Sequence, residues 1–124
     1  MKRQNPSLGG FSDDELAIEF AEAARLHGVY TETGEYRKTN AQYHRLAGVY
    51  KELRGRGTHA QRLLLGLLES KVVSVRVWAA MYALEFAPGR AEPILEQIAS
   101  GTIGHQRTDA EIVLREWKAG NLKF

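Results

Sequence analysis

Residues 72–86, VVSVRVWAAMYALEF, constrain the fold more than any other stretch of this chain. Read at helical spacing they carry apolar side chains on two neighbouring faces. Val72, Val75, Ala79, Tyr82, Ala83 and Phe86 make one stripe, and Val73, Val77, Ala80 and Leu84 make the other. A helix on the surface of a domain buries a single stripe about 100° wide. One that is apolar over more of its circumference is expected between several neighbours, so this segment is predicted to be the central helix of an all-α domain. Pro88 and Gly89 must stop it near Ala87, because proline cannot continue the helix.

Start and stop signals divide the remaining sequence into further helices. Ser12 and Glu15 stand in capping-box spacing, with Phe11 and Leu16 placed as a hydrophobic staple, and the apolar line Leu16, Phe20, Ala24 and Leu26 or His27 follows. Gly28 is the expected stop, and residues 29–34 a polar connection. A second helix is predicted over residues 35–54, burying Tyr36, Tyr43, Leu46 or Ala47, Tyr50 and Leu53. Thr58 with Gln61, and Thr108 with Glu111, repeat the capping-box spacing ahead of a short leucine-rich helix and a last helix. The short helix packs through Leu63, Leu64, Leu67 and Leu68; the last one turns Ala110, Val113, Leu114 and Trp117 inward before Gly120 ends it. Between them and after the central helix, Ala91, Ile94, Leu95 and Ile98 mark another, with Pro93 expected to bend it and residues 101–107 as a loop. With no alternating strand pattern, six helices joined by short connections read as helical hairpins stacked side by side.

At 124 residues the chain is long enough to bury roughly two-thirds of the surface its unfolded form exposes. Residues 1–10 are expected to be a flexible tail, 11–120 the helical domain and 121–124 a C-terminal tail. There is no cysteine, which excludes a disulfide framework and a thiolate metal site and fits a reducing cytoplasm. MKRQNPSLGG has no apolar run behind its basic residues, so no secretory signal is expected there. The longest uncharged apolar run, residues 77–84, is far short of the roughly 20 needed to span a bilayer, so no membrane partner is expected.

No catalytic signature is present: the chain has no G-x-S-x-G, H-E-x-x-H or phosphate-loop pattern. The histidines are scattered, and only His105 has a carboxylate at ligand spacing, Asp109, across an expected helix cap; neither a metal nor a cofactor is expected. Asn40, Tyr43 and His44 fall close together on the second helix, but no nucleophile with a base stands beside them. The structural reading makes Tyr43 core and turns Asn40 to the preceding connection.

Charge is the stronger signal. Residues 11–35 hold Asp13, Asp14, Glu15, Glu19, Glu22, Glu32 and Glu35 against Arg25 alone. Residues 36–62 hold Arg37, Lys38, Arg45, Lys51, Arg54, Arg56 and Arg62 against Glu52. Two readings stand: a solvated face offset by the acids of the first helix, or a surface for an acidic partner. On the second reading Arg37, Lys38, Arg45, Lys51, Arg54 and Arg56 are the partner-binding candidates. A protein partner is preferred over nucleic acid, because the tyrosines of the helix are assigned to its buried line and leave no exposed aromatic platform.

The run LLLGLLESKVVSVRVWAAMYAL, residues 63–84, resembles a HEAT repeat: a leucine-rich helix, a short turn with an acidic residue, then V-R ahead of A-A. The turn departs from that pattern, with Lys71, Val72 and Val73 where proline and asparagine are typical. N-A-Q-Y-H-R-L, E-L-R-G-R-G, V-R-V-W-A-A, F-A-P, I-L-E-Q-I-A and A-E-I-V-L-R-E-W together resemble a bacterial family of small HEAT-like proteins of unknown function. The resemblance implies an α-α superhelix and a bracing role for Arg76 against its own turn, and little about activity; the chain as a whole is read as a non-enzymatic module for binding other proteins. Similar helical-repeat proteins serve as immunity partners of bacterial toxins. Trp78, Trp117 and the terminal LKF are expected to cap an open end of the stack or to mediate self-association.

Overall fold

A computed structural model describes residues 7–101 and 104–124. Its described residues form six α-helices and no strand: α1 Asp13–Thr33, α2 Tyr36–Arg56, α3 Thr58–Gly66, α4 Val73–Ala83, α5 Pro88–Gly101 and α6 His105–Lys118. Single 3₁₀ turns precede α1 at Leu8–Gly10 and follow α3 at Leu67–Glu69. α1 packs along α2 and α5 along α6, while α4 touches α1, α3, α5 and α6. The all-α superhelix expected from the sequence is therefore the observed architecture, with residues 73–83 at its centre. Val75, Val77, Ala79, Ala80, Tyr82, Ala83 and Leu84 are all buried. Val73 and Phe86 are half-buried, and Val72 departs furthest from the expectation. It precedes the first helical turn and is exposed.

Arg76 donates from Nη1 to the carbonyl of Ser70 at 2.7 Å, tying α4 to the turn that leads into it, as expected of that arginine. The α1 capping box is complete, with Glu15 N on Ser12 Oγ at 3.0 Å and Ser12 N on Glu15 Oε1 at 2.8 Å.

Several boundaries differ from the sequence reading. α1 runs through Gly28 to Thr33, and the left-handed residue that ends it is Gly34, at φ 74°. Gly28 serves packing instead: a Cβ there would lie 2.8 Å from Ser74 Oγ and 2.9 Å from Ser74 Cβ. α3 and α6 begin without side-chain caps, after Gly57 and Gly104 at φ 88° and 103°. Glycine is only a few tenths of a kcal/mol worse than serine or threonine at that position. Thr58 and Thr108 consequently lie inside their helices rather than ahead of them. The loop expected over residues 101–107 shrinks, because α6 starts at His105; residues 102 and 103 lie outside the described residues. Pro93 sits inside α5, where it leaves the carbonyl of Gly89 without its helical partner.

The expected N-terminal tail is partly outside the described residues. In the rest of it, Ser7 caps the 3₁₀ turn Leu8–Gly10, whose Leu8 and Gly9 carbonyls are held by Arg56. At the other end Leu122 and Phe124 pack against the core, with the Phe124 ring edge-on to Trp117 at 6.3 Å. No described helix is long and apolar enough to cross a membrane.

Candidate functional site

The functional surface follows from a mismatch in helix length. At 1.5 Å per residue α2 is about 30 Å long and α4 about half that. α1 is as long as α2 and packs along it, but α4 is too short to follow it, and the N-terminal part of α2 is largely exposed. Tyr36 is 81% exposed and Tyr43 43% exposed, against the expectation that both are core; Leu46, Val49, Tyr50 and Leu53, opposite the shorter helices, are buried. Asn40 is exposed as well.

Where α2 and α4 come together, their aromatic side chains form a ladder. Tyr50 stacks on Tyr82 with centroids 4.2 Å apart, Tyr82 lies beside Trp78 at 6.2 Å, and Trp78 meets Tyr43 at 6.0 Å and the edge of His27 at 4.9 Å. The base of the ladder is buried and its upper end open. Burial pushes the Tyr82 phenol up to about 12, and burial together with a 2.6 Å hydrogen bond to Glu85 Oε1 raises Tyr50 as well. Both stay neutral at physiological pH.

The open end of the ladder lines a groove of about 330 Å³. Tyr43, Trp78, Met81 and Tyr82 form much of its wall, Lys51 and Arg54 come from α2, and Leu122, Lys123 and Phe124 close one side. Trp78 and Met81 are shared with a second cleft of about 260 Å³, otherwise lined by His27, Val77, Asp109, Ile112 and Val113. A broader hollow of about 640 Å³ lies against the other side of α2, between Leu8, Phe11, Glu19 and Arg45.

The basic residues singled out by sequence fall into three groups. Lys51 and Arg54 line the groove; Lys51 is exposed, and Arg54 is paired with Glu85 at 2.5 Å. Arg37 and Lys38 lie at the far end of α2, Lys38 held by Glu35 at 2.9 Å and resting 5.3 Å over the Tyr30 ring. Arg45 and Arg56 are occupied within the fold. Arg45 donates from Nε and Nη2 to Glu19 of α1, at 3.0 and 2.8 Å.

Arg56 pairs with Asp13 and Glu52, both at 3.0 Å, and reaches the carbonyls of Phe11, Leu8 and Gly9. Its fork is a clamp on the N-terminal turn, so its donors are engaged within the fold. Hydrogen bonds from His59 and then Arg56 hold the Asp13 carboxyl below its ordinary value. Part of the acidic–basic asymmetry between the first two helices, Glu19 with Arg45 and Asp13 with Arg56, is therefore internal pairing.

Sequence reasoning missed Met81, Lys123 and Phe124 as members of the groove. Lys123 reaches it only because Gly120, at φ 77°, turns the chain back after α6. His105 does not join Asp109; its Nδ1 lies 3.0 Å from Glu32 Oε1. No three His, Cys, Asp or Glu side chains converge in metal-binding fashion among the described residues.

The fold and groove define a small all-helical protein with an aromatic, cation-rimmed concavity. Residues 14–117 match the family described as "Domain of unknown function (DUF2019)", and the chain belongs to that family. In overall structure it is similar to the protein RPA1889 from Rhodopseudomonas palustris CGA009, known from a crystal structure. The TM-score is 0.88 at 26% identity, over 97% of this chain and 99% of that one. Among curated proteins none matches the sequence.

Proposed function

We propose that this chain is a non-enzymatic, HEAT-like binding module that holds an acidic segment of a partner protein in the groove between α2, α4 and the C-terminal residues. The observation behind this reading is the juxtaposition of Tyr43, Trp78 and Met81 with Lys51, Arg54 and Lys123 around one concavity. Aromatic and methionine surfaces take an apolar anchor with little loss of side-chain entropy. Exposed cations at the rim steer an acidic partner and set its register more than they add affinity. An adaptor or a toxin-immunity protein is the kind of role such a module fills.

A peptide-display selection on the immobilised protein tests it. Enriched sequences should pair Asp or Glu with a neighbouring aromatic or leucine, and the K51E/K123E variant should lose them while keeping its helical circular dichroism and melting temperature. No enrichment, or enrichment indifferent to K51E/K123E, would sink the proposal.

A second reading is favoured by the exposure of Tyr43 on the groove that Lys51 also lines. Bases stack on such rings next to cations, so the groove also suits single-stranded nucleic acid. Binding of a labelled oligothymidine that weakens by orders of magnitude between about 50 and 200 mM salt selects this reading. Flat or absent binding removes it.

A further inference from the structure

The second cleft carries the opposite charge. Asp109, on α6, opens into it among Val77, Met81, Ile112 and Val113, with Trp78 as one wall. Among the described residues no side chain pairs with its carboxylate. His105, one turn back on α6, is directed to Glu32, and His27, from α1, rests edge-on against Trp78. Burial pushes the His27 imidazole down, and burial pushes the Asp109 carboxyl up against the lowering effect of His105 and then His27. A half-buried carboxylate in a mostly apolar cleft, with no hydrogen-bonded partner among the described residues, is favoured when a cation pairs with it.

We infer that this cleft is a binding site for an alkylammonium group, with Asp109 as counter-ion, Trp78 as the face beside the cation, and Val77, Met81, Ile112 and Val113 around its methylenes. Each ligand class must satisfy what the walls offer. An anion is repelled by Asp109, and a neutral apolar molecule leaves the carboxylate unpaired and further desolvated. A metal ion lacks ligands, since among the described residues Asp109 gathers no set of three with other His, Cys, Asp or Glu side chains. A cation with an apolar stem meets both the carboxylate and the indole, whose face attracts ammonium groups. The volume of about 260 Å³ is below the roughly 300–1,000 Å³ of drug-sized sites, which suits one extended amine, free or at the end of a lysine side chain. The site lies across Trp78 from the cation-rimmed groove and does not rest on the acidic-partner reading.

The test is an NMR titration of the full chain with n-butylammonium, with Nα-acetyl-lysine N-methylamide, and with n-butanol as the uncharged control. Saturable shifts are expected at the Trp78 indole N–H and at Val77, Ile112 and Val113 with the amines, and at least tenfold weaker effects with butanol. Tighter binding of the lysine derivative assigns the site to a polypeptide side chain, and tighter binding of butylammonium to a free amine. D109N should weaken amine binding at least tenfold without lowering the melting temperature, W78L should weaken it in the same direction, and K51E/K123E should leave it unchanged. Equal responses to butanol and butylammonium, undiminished binding by D109N, or no saturable shift at these residues overturns the assignment. Should D109N not fold, loss of amine binding in W78L together with the charge dependence decides the question.

Discussion

Gly28 is where the packing makes its sharpest demand. In the middle of a long helix, replacing glycine by alanine ordinarily stabilises by about 1 kcal/mol, because alanine loses less backbone entropy on folding. At Gly28 that gain is opposed. The new methyl would sit 2.8 Å from Ser74 Oγ and 2.9 Å from Ser74 Cβ, and the second of these atoms is fixed to the α4 backbone. Rotating the hydroxyl away cannot relieve it; α1 and α4 must separate by roughly 0.5 Å, and overpacking of this kind costs about 1–3 kcal/mol. Gly28→Ala is therefore expected to be destabilising by up to about 2 kcal/mol net. Gly48→Ala, in the middle of α2 with its nearest neighbour the Leu8 Cδ1 at 3.8 Å, should stabilise instead. Urea denaturation followed by circular dichroism measures both, and the cycle with Ser74→Gly isolates the contact. Its coupling energy should be about 1–3 kcal/mol, because Ser74→Gly removes both clashing atoms. If Gly28→Ala stabilises as much as Gly48→Ala, or the cycle shows no coupling, the close approach is not what holds glycine there. The same separation would disturb the His27–Trp78 contact one turn further along α4, so Gly28→Ala should also alter Trp78 fluorescence.

Two further perturbations follow from the polar network. Arg56→Met should lower the melting temperature and open the N-terminal turn to proteolysis, and Arg56→Lys should restore little, since one ammonium cannot reproduce the fork on Asp13, Glu52 and the carbonyls of Leu8 and Phe11. An unchanged protease pattern would return Arg56 to the surface candidates. Asp13 has a depressed folded pKa, so its contribution is present above its unfolded pKa, ordinarily 3.8, and is lost as pH falls through the lower folded value. Asp13→Asn should flatten that part of the acid limb. Tyr82 is raised, so its contribution is complete below its ordinary pKa of 10.0 and fades as pH climbs toward about 12. Absorbance at 295 nm should show Tyr82 ionising only late or on unfolding, and Tyr82→Phe should remove that component; simultaneous titration of every tyrosine near pH 10 in the folded chain would contradict the burial.

How much of this was legible in the sequence depends on which physical quantity each question needed. Burial around α4 was readable because periodicity reports the angle of each side chain about its helix axis, and Val75, Val77, Ala79, Ala80 and Leu84 obey it. Tyr36 and Tyr43 sit at the right angle on α2 and are still exposed, because periodicity says nothing about how far the neighbouring helices extend. Gly28 was read as a stop since local rules cannot see Ser74 of another helix. Glycine also displaced the expected Thr58 and Thr108 caps, by serving as the N-cap itself. The basic helix was visible as a charge asymmetry, but only the fold distinguishes Arg45 and Arg56, held by Glu19 and Asp13, from Lys51 at the groove.

The two clefts acquire their meaning from the side chains between them. Trp78 and Met81 belong to both, so one rigid aromatic wall separates a rim bearing Lys51 and Lys123 from a cleft bearing Asp109. Opposite charges held apart on one concave surface discriminate by sign: a ligand entering the wrong side meets a like charge, a penalty that steers recognition more strongly than apolar contact alone. Because Trp78 is anchored through Tyr82 and Tyr50 into the buried core, its position is fixed by the same packing that stabilises the fold. Occupation of one cleft can then influence the other through the shared Trp78 and Met81 side chains or by moving α4. The tight contact between Ser74 and Gly28 resists motion of α4, so any coupling between the two clefts is expected to run through the shared side chains.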